Sequence, residues 1–243
     1  MKFISSGAQA DVYKDGSKAI KLFKNKCDIE YETGLQKMAF DCGLPVPEVF
    51  GITEIDGKSG IVMEYIEGTP VGNIVSGDTT KSGEYLIKTI ELQNRIHSIE
   101  ARNFPSLKDK LKYFISRNEV LGENEKKDIL LDLESRAFEN KLCHGDFHVL
   151  NLIQTPNGIK IIDWITAASG NPDADIYRTY LLYKISTPDF AEIYLDTYCK
   201  MMALDKAKIL SWSSIVAGAR LGEYVKDENE KNVLLEIIRG GLS

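Results

Sequence analysis

Three side chains between residues 142 and 163 have the types and the spacing that phosphoryl transfer needs. Asp146 follows a His-Gly pair, Asn151 comes five residues later, and Asp163 ends the second of two short apolar runs around an Asn-Gly pair. A loop carboxylate can accept the proton of an attacking hydroxyl, while an amide and a second carboxylate hold magnesium on nucleotide phosphates. Magnesium is a small, hard cation that prefers such oxygen ligands. The stretch therefore predicts Asp146 as a catalytic residue and Asn151 and Asp163 as Mg²⁺ ligands.

A purely structural explanation of the same stretch also exists. A His-Gly-Asp triplet occurs by chance in many chains, and Asp and Asn are common in turns. The pair Asn157-Gly158 is a hairpin signal in its own right. The order of the elements favours a kinase-type site over coincidence, because Asp146 and Asn151 precede a strand, a turn and a second strand that ends on Asp163.

A lysine near the N-terminus is a candidate for binding nucleotide phosphates. Lys21 lies in a short alternating run that predicts a strand. Its ammonium group would need a carboxylate to hold it, and Glu32 on the following predicted helix is best placed. Glu30 lies two residues earlier and therefore faces a different side of that helix. Alone, Lys21 would be interpreted as an exposed strand lysine, but together with Asp146 and Asp163 the phosphate-anchoring role is favoured.

Two further segments could contact a nucleotide. The loop of residues 5–10, which contains Ser6 and Gly7, has small residues that let backbone N–H groups approach an anion. An ordinary hairpin loop explains this segment equally well. At the end of a later predicted strand, the carbonyl of Glu64 and the N–H of Ile66 could bond a purine edge. A buried strand end is compatible with the same placement, and backbone contacts of this kind do not distinguish ATP from GTP.

Asp175 and the three histidines of the chain have structural interpretations. Asp175 lies near a predicted helix start, where a carboxylate caps free N–H groups, and we predict that it braces the catalytic loop. His144 is predicted to brace the backbone of the same loop and not to act as a base. His97 and His148 are predicted to pack or to form hydrogen bonds, and not to bind a ligand.

The chain divides into a strand-rich first part and a helical remainder. Short runs separated by Gly and Asp-Gly pairs predict strands, at residues 3–4, 11–14, 18–23, 48–54 and 59–65, with one helix at 27–41. Apolar residues at helical spacing then predict helices at 83–102, 107–116, 123–138, 173–184, 190–202, 206–225 and 229–238. The fold class is therefore α+β. We predict a small N-terminal lobe of residues 1–66, with an antiparallel sheet and one helix, and a larger, mostly helical C-terminal lobe of residues 67–243.

The composition is that of an ordinary globular protein. Of the 243 residues, 43% are hydrophobic and 27% are charged, and the net charge is -6. A nucleic-acid binder usually has a basic surface, so no nucleic-acid partner is expected. The four cysteines have no zinc or redox spacing and are expected to be reduced. Neither a signal peptide nor a membrane-spanning run is apparent, which predicts a cytoplasmic protein without a membrane partner.

Five motifs together resemble those of the aminoglycoside phosphotransferase and choline kinase family, distant relatives of protein kinases. They are AIKLF, VMEYIEG, CHGDFHVLN, IIDW and GNPDADIYR. The resemblance implies a bilobal, protein-kinase-like fold, with nucleotide between the lobes and the acceptor bound by the helical lobe. It also implies the site residues. Asp146 would be the catalytic carboxylate, and Asn151 and Asp163 would be the magnesium ligands. Lys21 with Glu32 would be the phosphate-anchoring ion pair, and Met63 would border the adenine pocket.

These observations predict a magnesium-dependent kinase that uses ATP, with GTP as an alternative, and phosphorylates a hydroxyl of a small molecule. An aminoglycoside-type acceptor is favoured, while choline, a sugar, another metabolite or a protein side chain stay open. Aminoglycosides are cations and would suit an acidic pocket. The residues that could line one are Asp173, Glu223, Asp227 and Glu228, although a solvated helix face explains each of them as well.

Two other classes are less favoured. A nucleotide-binding pseudokinase usually lacks the catalytic Asp or a metal ligand, whereas Asp146, Asn151, Asp163 and Lys21 are all present. A protein kinase would have an activation segment that ends in an APE-like motif after Asp163, and no such segment is found. The oligomeric state is not predicted.

Overall fold

The N-terminal part of the chain forms a five-stranded antiparallel sheet. The structure, a computed structural model, describes residues 1–7, 9–223 and 225–241. The strands are β1 (Lys2–Ser6), β2 (Ala10–Asp15), β3 (Lys18–Phe23), β4 (Val49–Ile55) and β5 (Lys58–Glu64). They pair in the order β1-β2-β3-β5-β4. Each predicted strand is found, with ends that differ by a few residues.

Two turns of this sheet contain the predicted Asp-Gly pairs. Gly16, between β2 and β3, has a φ of +61°, and Asp56 and Gly57, between β4 and β5, have φ values of +50° and +73°. Positive φ at both central residues, as at Asp56 and Gly57, is typical of a type I′ turn, and a glycine with positive φ at the first central position, as at Gly16, is typical of a type II′ turn. The turns help to fix the registers of β2 with β3 and of β4 with β5. Strand β3 also pairs with β5, and Lys21 lies opposite Ile61 there.

Helix α1 (Ile29–Asp41) follows β3 and packs against β4 and β5. The Asp28 carboxylate caps it by accepting a hydrogen bond from the Tyr31 N–H at 2.9 Å. Leu35 in its middle is buried. Just beyond its end, Gly43 has a φ of +73°, and glycine in this conformation is a common helix stop. The one helix predicted for this lobe is therefore confirmed.

By its contacts the chain forms two compact units, each made of two segments. Unit 1 comprises residues 1–85 and 149–166, and unit 2 comprises residues 86–148 and 167–243. The remaining strands are β6 (Thr69–Pro70), β7 (Lys141–Cys143), β8 (Leu152–Thr155), β9 (Gly158–Ile161) and β10 (Ala168–Gly170). In unit 1, β6, β8 and β9 form a three-stranded antiparallel sheet, and in unit 2, β7 pairs with β10. The predicted lobe boundary at residues 66 and 67 stays a prediction.

Helices dominate the rest of the chain. They are α2 (Val71–Gly77), α3 (Ser82–His97), α4 (Leu107–Ser116), α5 (Glu123–Ser135), α6 (Pro172–Ser186), α7 (Pro188–Met202), α8 (Lys206–Leu210), α9 (Ser213–Gly222) and α10 (Glu228–Gly241). In unit 2, α9 packs against α4, α5 and α10. None of the described helices is both long and apolar enough to cross a bilayer. The α+β class, with a sheet-containing N-terminal lobe and a helical C-terminal part, is confirmed.

The helix predicted at residues 206–225 is two helices, α8 and α9, with a break at Ser211 and Trp212. Arg136 accounts for the break, because its guanidinium group donates to the Ser211 carbonyl oxygen at 2.8 Å and to Ser211 Oγ at 2.7 Å. The same group lies 4.9 Å from the centre of the Trp212 ring. These contacts fix the break. Tyr224, within the predicted range, lies outside the described residues.

Two other helix boundaries differ from the prediction. The sequence pattern does not predict α2, which has two glycines and β-branched residues that disfavour helix. A Cβ at Gly72 would come 2.5 Å from the Leu150 side chain. Gly72 is therefore explained by the close packing of α2 against Leu150. The helix predicted at 83–102 ends at His97, because the Leu142 N–H donates to the Ile99 carbonyl oxygen at 3.0 Å and draws that segment alongside β7.

Close packing of α9 on α4 makes Gly222 sensitive to substitution. A Cβ at this position would overlap the backbone carbonyl of Phe114, whereas a Cβ at Gly240 in α10 would meet nothing within 4 Å. We expect Gly222→Ala to reduce the free energy of unfolding by about 1 to 3 kcal/mol, the usual cost of overpacking. Gly240→Ala should leave it unchanged or raise it slightly. Urea denaturation measures both, and equal stabilities would contradict the packing described.

Candidate functional site

In unit 1, Lys21 is held between two carboxylates. Its Nζ lies 2.5 Å from Glu32 Oε1 and 3.3 Å from Asp163 Oδ1. The Glu32 side chain is only 4% exposed, so the ion pair is largely removed from water. Burial alone would lower the pKa of Lys21, but the charges of Asp163 and Glu32 outweigh it and raise the pKa. Lys21 therefore stays an ammonium ion, and Glu32 is its partner as the sequence predicts.

The hairpin of β8 and β9 carries Asn151 and Asp163 at its open end. Leu152 pairs with Ile161 at that end, and the Ile162 N–H donates to the Asn151 carbonyl oxygen at 3.0 Å. The two predicted metal ligands thus lie directly before and shortly after one pair of strands. The Asn-Gly turn that closes the other end sets this register, since a one-residue slip would reverse every side chain.

Asp163 has an unusual backbone conformation. Its φ is +65°. This value lies in the left-handed region of the backbone, which residues other than Gly, Asn and Asp rarely adopt. Asp56 and Ala203 also have positive φ, but they lie in a hairpin turn and at a helix C-cap, where this conformation is common. Next to Asp163, the buried Trp164 donates from its indole N–H to the Ile161 carbonyl oxygen at 3.1 Å. The indole hydrogen bond spans Asp163, from residue 164 to residue 161, and helps to hold this uncommon conformation, which is often found at functional sites.

The chemistry of these donors fits magnesium. Asn151 supplies an amide oxygen and Asp163 a carboxylate, which are the ligand types that Mg²⁺ takes. Within the described parts of the chain there is no cluster of three or more His, Cys, Asp or Glu side chains suited to a metal ion. Magnesium in nucleotide sites is typically held by one or two protein groups, with phosphate and water completing the shell. A site of two protein ligands is therefore consistent with a metal that arrives with a nucleotide.

In unit 2, Asp175 holds the loop that carries Asp146. Its carboxylate is 2% exposed and accepts hydrogen bonds from the Gly145 N–H at 2.7 Å and the His144 N–H at 3.1 Å. His97 Nε2 lies 2.9 Å from the same group. Burial would raise the pKa of Asp175, but these hydrogen bonds and the nearby His97 lower it. Asp175 therefore braces the loop, as predicted.

Histidines continue this hydrogen-bond network. His144 Nδ1 accepts from the Asp146 N–H at 3.2 Å, so His144 braces the loop backbone as predicted. His97 Nδ1 lies 3.3 Å from the hydroxyl oxygen of Tyr198 on α7. A buried chain of polar groups thus runs from α7 through α3 to α6 and the loop.

Arg178 contacts the carbonyl group of Gly145, whose N–H donates to Asp175. It is one helical turn after Asp175 on α6, and its Nε donates to the Gly145 carbonyl oxygen at 3.2 Å. Its Nη2 donates to Glu223 Oε2 at 2.9 Å, which orients the guanidinium group. Two residues at i and i+3, which share one helix face, therefore hold the N–H and the C=O of Gly145, directly before Asp146.

The Asp146 carboxylate is surrounded by groups that favour its charged form. Its Oδ2 lies 3.4 Å from His148 Nε2. Burial would raise the pKa of Asp146, but the hydrogen bond from His148 and the charges of His148, His144 and Arg178 lower it to about 2. Asp146 is therefore ionised at neutral pH. It accepts hydrogen bonds readily but is a weak base.

The remaining predicted nucleotide contacts lie in unit 1 with Lys21. Lys24 donates to Ser6 Oγ and to the Gly7 carbonyl oxygen, while Ala8 of the same loop lies outside the described residues. Met63 and Glu64 are at the end of β5. Glu64 Oε2 lies 3.1 Å from Lys160 Nζ of β9. The nucleotide roles of Ser6, Gly7, Met63, Glu64 and Ile66 stay predictions.

A known protein family matches most of the chain. The model of the family described as "Phosphotransferase enzyme family" covers residues 2–210. The chain belongs to this family. A relative, the EKC/KEOPS complex subunit BUD32 of Enterocytozoon bieneusi (strain H348), is 25% identical to the phosphotransferase over 227 residues, which are 85% of this chain and 94% of the relative.

Solved structures of similar fold include aminoglycoside phosphotransferases and choline kinases. A thermostable mutant of aminoglycoside phosphotransferase APH(4)-Ia, in a ternary complex with ADP and hygromycin B, has a TM-score of 0.74 at 15% identity, over 99% of this chain and 94% of its own. A choline/ethanolamine kinase family protein from Mesorhizobium loti has a TM-score of 0.68 at 15% identity, over 98% of this chain and 86% of its own. The kinase-like fold of the phosphotransferase is thereby confirmed.

Sequence reasoning missed two residues that hold the backbone next to predicted site residues, Trp164 in unit 1 and Arg178 in unit 2. Arg178 has no predicted role, although its spacing of three residues from Asp175 on a predicted helix was a usable signal. Trp164 is part of the IIDW motif, but the sequence analysis gives it no role of its own. Its hydrogen bond to the Ile161 carbonyl depends on the backbone turn at Asp163, which the pattern of residue types does not reveal.

The low pKa of Asp146 leads to a prediction for His148. We expect His148→Ala to raise the pKa of Asp146 from about 2 towards the ordinary value near 3.8, and His148→Gln, which keeps a donor without charge, to have a smaller effect. A carboxyl group with a depressed pKa stabilises the fold above its unfolded pKa, and this stabilisation is lost as the pH falls through the folded value. Acid unfolding of His148→Ala should therefore begin at a higher pH. Carboxyl ¹³C titration by NMR tests the shift, and an unchanged Asp146 pKa would show that His148 is not its cause.

Proposed function

We propose that this phosphotransferase is a magnesium-dependent kinase that moves the γ-phosphate of ATP, with GTP as an alternative donor, to a hydroxyl group of a small molecule. The observation that carries the proposal is the placement of Lys21 between Glu32 and Asp163, on the unit whose hairpin also bears Asn151. A half-buried lysine that stays charged beside oxygen donors is suited to a polyphosphate and its metal ion. Burial of Glu32 keeps the lysine in place before nucleotide arrives.

Nucleotide binding would use residues of unit 1. The Lys21 ammonium would contact phosphate oxygens, and the loop at Ser6 and Gly7 would cover them. Met63, Glu64 and Ile66 would contact the base. Asn151 and Asp163 would hold Mg²⁺, which neutralises charge on the phosphate oxygens when it is bound.

Asp146 would orient the attacking hydroxyl group. In the transfer, the bond between the γ-phosphorus and its bridging oxygen to the β-phosphate breaks, and a bond from the acceptor oxygen to that phosphorus forms. The hydroxyl proton passes to Asp146 and then to solvent. With a pKa of about 2, Asp146 is a poor base for a free alcohol, so the proton moves late, once the acceptor oxygen has begun to bond to phosphorus. This order suits the loose transition state of phosphoryl transfer, in which positioning contributes most of the catalysis.

For the acceptor we propose an aminoglycoside-type compound first and choline or another hydroxyl metabolite second. The fold similarity to APH(4)-Ia, whose complex contains hygromycin B, supports the first, and that to a choline/ethanolamine kinase family protein supports the second. Three of the four acidic residues considered for a cationic acceptor have partners within the chain. Glu223 pairs with Arg178 and Arg220, Asp227 accepts from two N–H groups at the start of α10, and Glu228 pairs with Lys231. These residues therefore add no support for a polycation.

The match to BUD32 favours a second candidate. BUD32 is described as a subunit of the EKC/KEOPS complex, and the match covers 94% of it. Under this alternative, the phosphotransferase would act within a protein assembly and would not need a free small-molecule acceptor.

The proposed reaction is tested by ADP release from magnesium-ATP in the presence of aminoglycosides, choline or small sugars. We expect turnover with one class of acceptor. Asp146→Ala should retain the fold and nucleotide affinity but lose at least about 10²-fold in kcat, because a positioned general base typically contributes 10² to 10⁴. Full activity of this variant would refute the role of Asp146. Nucleotide binding without turnover on any acceptor would favour the assembly subunit or a nucleotide-binding pseudokinase.

Magnesium binding is tested separately at Asp163. We expect Asp163→Ala to lose the part of ATP affinity that depends on magnesium while adenosine affinity is unchanged, as titration calorimetry with and without magnesium would measure. Asp56→Ala is the matched control, because Asp56 also has a positive φ but lies in the turn between β4 and β5. If both variants bind magnesium-ATP like the wild type, Asp163 is not a metal ligand.

A further inference from the structure

A buried glutamine of helix α1 contacts the side chain that would border the nucleotide base. Gln36 is only 4% exposed. Its Nε2 donates to the Pro47 carbonyl oxygen at 2.9 Å and to Met63 Sδ at 3.5 Å. A side-chain amide has two N–H donors, which matches these two acceptors. Gln36 therefore holds both the backbone before β4 and the thioether at the end of β5.

The strand register places Met63 on the same face of the sheet as Lys21. Met63 pairs with Ala19 of β3, and Ala19 lies two residues before Lys21. Residues two apart on a strand point to the same face. Helix α1 reaches this face with two side chains one turn apart, because Glu32 bonds Lys21 and Gln36 bonds Met63. One helix thus holds the proposed phosphate contact and the proposed base contact.

The Met63 side chain is half-buried, so a ligand can reach it. Its buried part packs against a cluster of the residues Ala10, Phe23, Val49 and Ile61. A methionine side chain is unbranched, has three rotatable bonds and adapts its shape easily. The contact from Gln36 restricts that freedom, and it acts on the sulfur, near the free end of the side chain.

Gln36 also supports the strand end that would contact the base. Pro47, whose carbonyl it binds, precedes Glu48, and the Glu48 carbonyl oxygen accepts from the Glu64 N–H at 2.8 Å. The proposed base contacts begin with the carbonyl of Glu64, which directly follows Met63. An adenine whose exocyclic amino group donates to this carbonyl would therefore have the Met63 side chain beside that amino group.

We propose that Gln36 is a positioning residue for the nucleotide base. By holding the Met63 side chain, it keeps the space beside the exocyclic amino group closed, so that adenine is accepted and a purine with a bulky group there is rejected. The inference rests on the proposed function and deepens it. The competing explanation is that Gln36 only ties α1 to Pro47, which would affect stability but not the choice of base.

The test compares variants that remove a buried polar group from α1. Gln36→Leu removes both donors with little change in volume. Thr33→Val is the matched control, because Thr33 is also buried on α1 and, among the residues that the structure describes, its Oγ1 has no hydrogen-bond partner. Met63→Leu removes the sulfur acceptor, and the double variant shows whether Gln36 acts through Met63.

Titration calorimetry with adenosine, and with adenosine that carries a benzyl group on its exocyclic nitrogen, gives the selectivity as a ratio of dissociation constants. We expect the wild type to prefer adenosine and Gln36→Leu to reduce this preference about fivefold, the scale of one net hydrogen bond. Thr33→Val should keep the wild-type ratio. In the Met63→Leu background, Gln36→Leu should leave the ratio unchanged.

Three outcomes would overturn the inference. They are a wild type that binds both compounds equally, a wild-type ratio in Gln36→Leu, and the same reduction by Gln36→Leu with and without the Met63 sulfur. The first two show that Gln36 does not control the space beside the amino group. The third shows that it does not act through Met63.

A measurement without ligand covers the case in which Gln36→Leu fails to fold. The ¹³C-methyl NMR signal of Met63, assigned by its loss in Met63→Leu, reports how far this side chain averages between rotamers. We expect a restricted methyl group in the wild type. Free averaging of the Met63 methyl group in the wild type would overturn the positioning role.

Failure of the proposed function is distinguishable from failure of this inference. If the wild type binds neither AMP-PNP nor adenosine, the proposed function is wrong, and the role of Gln36 in base binding is overturned with it. If the wild type binds adenosine and Gln36→Leu discriminates equally well, the function stands and only the inference is overturned.

Discussion

One buried carboxylate determines the conformation of the loop that carries Asp146. A charge removed from water persists only where hydrogen bonds replace the lost hydration, and Asp175 obtains them from the amides of His144 and Gly145 and from His97. A loop that moved away would leave the carboxylate uncompensated, at a cost of about 3 to 5 kcal/mol. Arg178 adds a hydrogen bond to the carbonyl oxygen of Gly145. The backbone directly before Asp146 is therefore held in position by two residues of helix α6.

Unit 1 uses the same principle with the opposite sign of charge. Lys21 is a cation with little access to water, and the carboxylates of Glu32 and Asp163 compensate it. Glu32 is on α1 and Asp163 follows the β8–β9 hairpin. The two ion pairs of Lys21 therefore link β3 both to this helix and to this hairpin. In each unit, a charged side chain with little access to water holds a proposed site residue in place. In unit 2 this side chain is Asp175, and in unit 1 it is Glu32, which holds Lys21.

Local pattern was sufficient to predict the parts of the fold and site that depend on short-range physics. Strand alternation and Asp-Gly turns predict the five-stranded sheet, and the separation of Lys21 and Glu32 on adjacent elements predicts their ion pair. Contacts between distant residues were not accessible in this way. Arg136 interrupts a continuous helical pattern at Ser211 from 75 residues away, and Arg178 of α6 pairs with Glu223 from 45 residues away. The periodicity of a sequence describes one helix or strand at a time. It cannot show which side chain of another element will donate a hydrogen bond to a backbone carbonyl or form an ion pair.

The discontinuity of unit 1 has a consequence for how the chain folds as it is synthesised. Lys21 is separated from Glu32 by 11 residues but from Asp163 by 142, and the first segment of unit 2 lies between residue 85 and the hairpin. The residues that form the five-stranded sheet, α1 and the Lys21–Glu32 pair all precede the hairpin in the chain, so they leave the ribosome before it. The cost in entropy of closing a long loop grows only with the logarithm of its length, so the late arrival of the hairpin adds little to it. Glu32 is therefore available to Lys21 from an early stage of synthesis, whereas the ion pair of Lys21 with Asp163 forms only after the hairpin has been made.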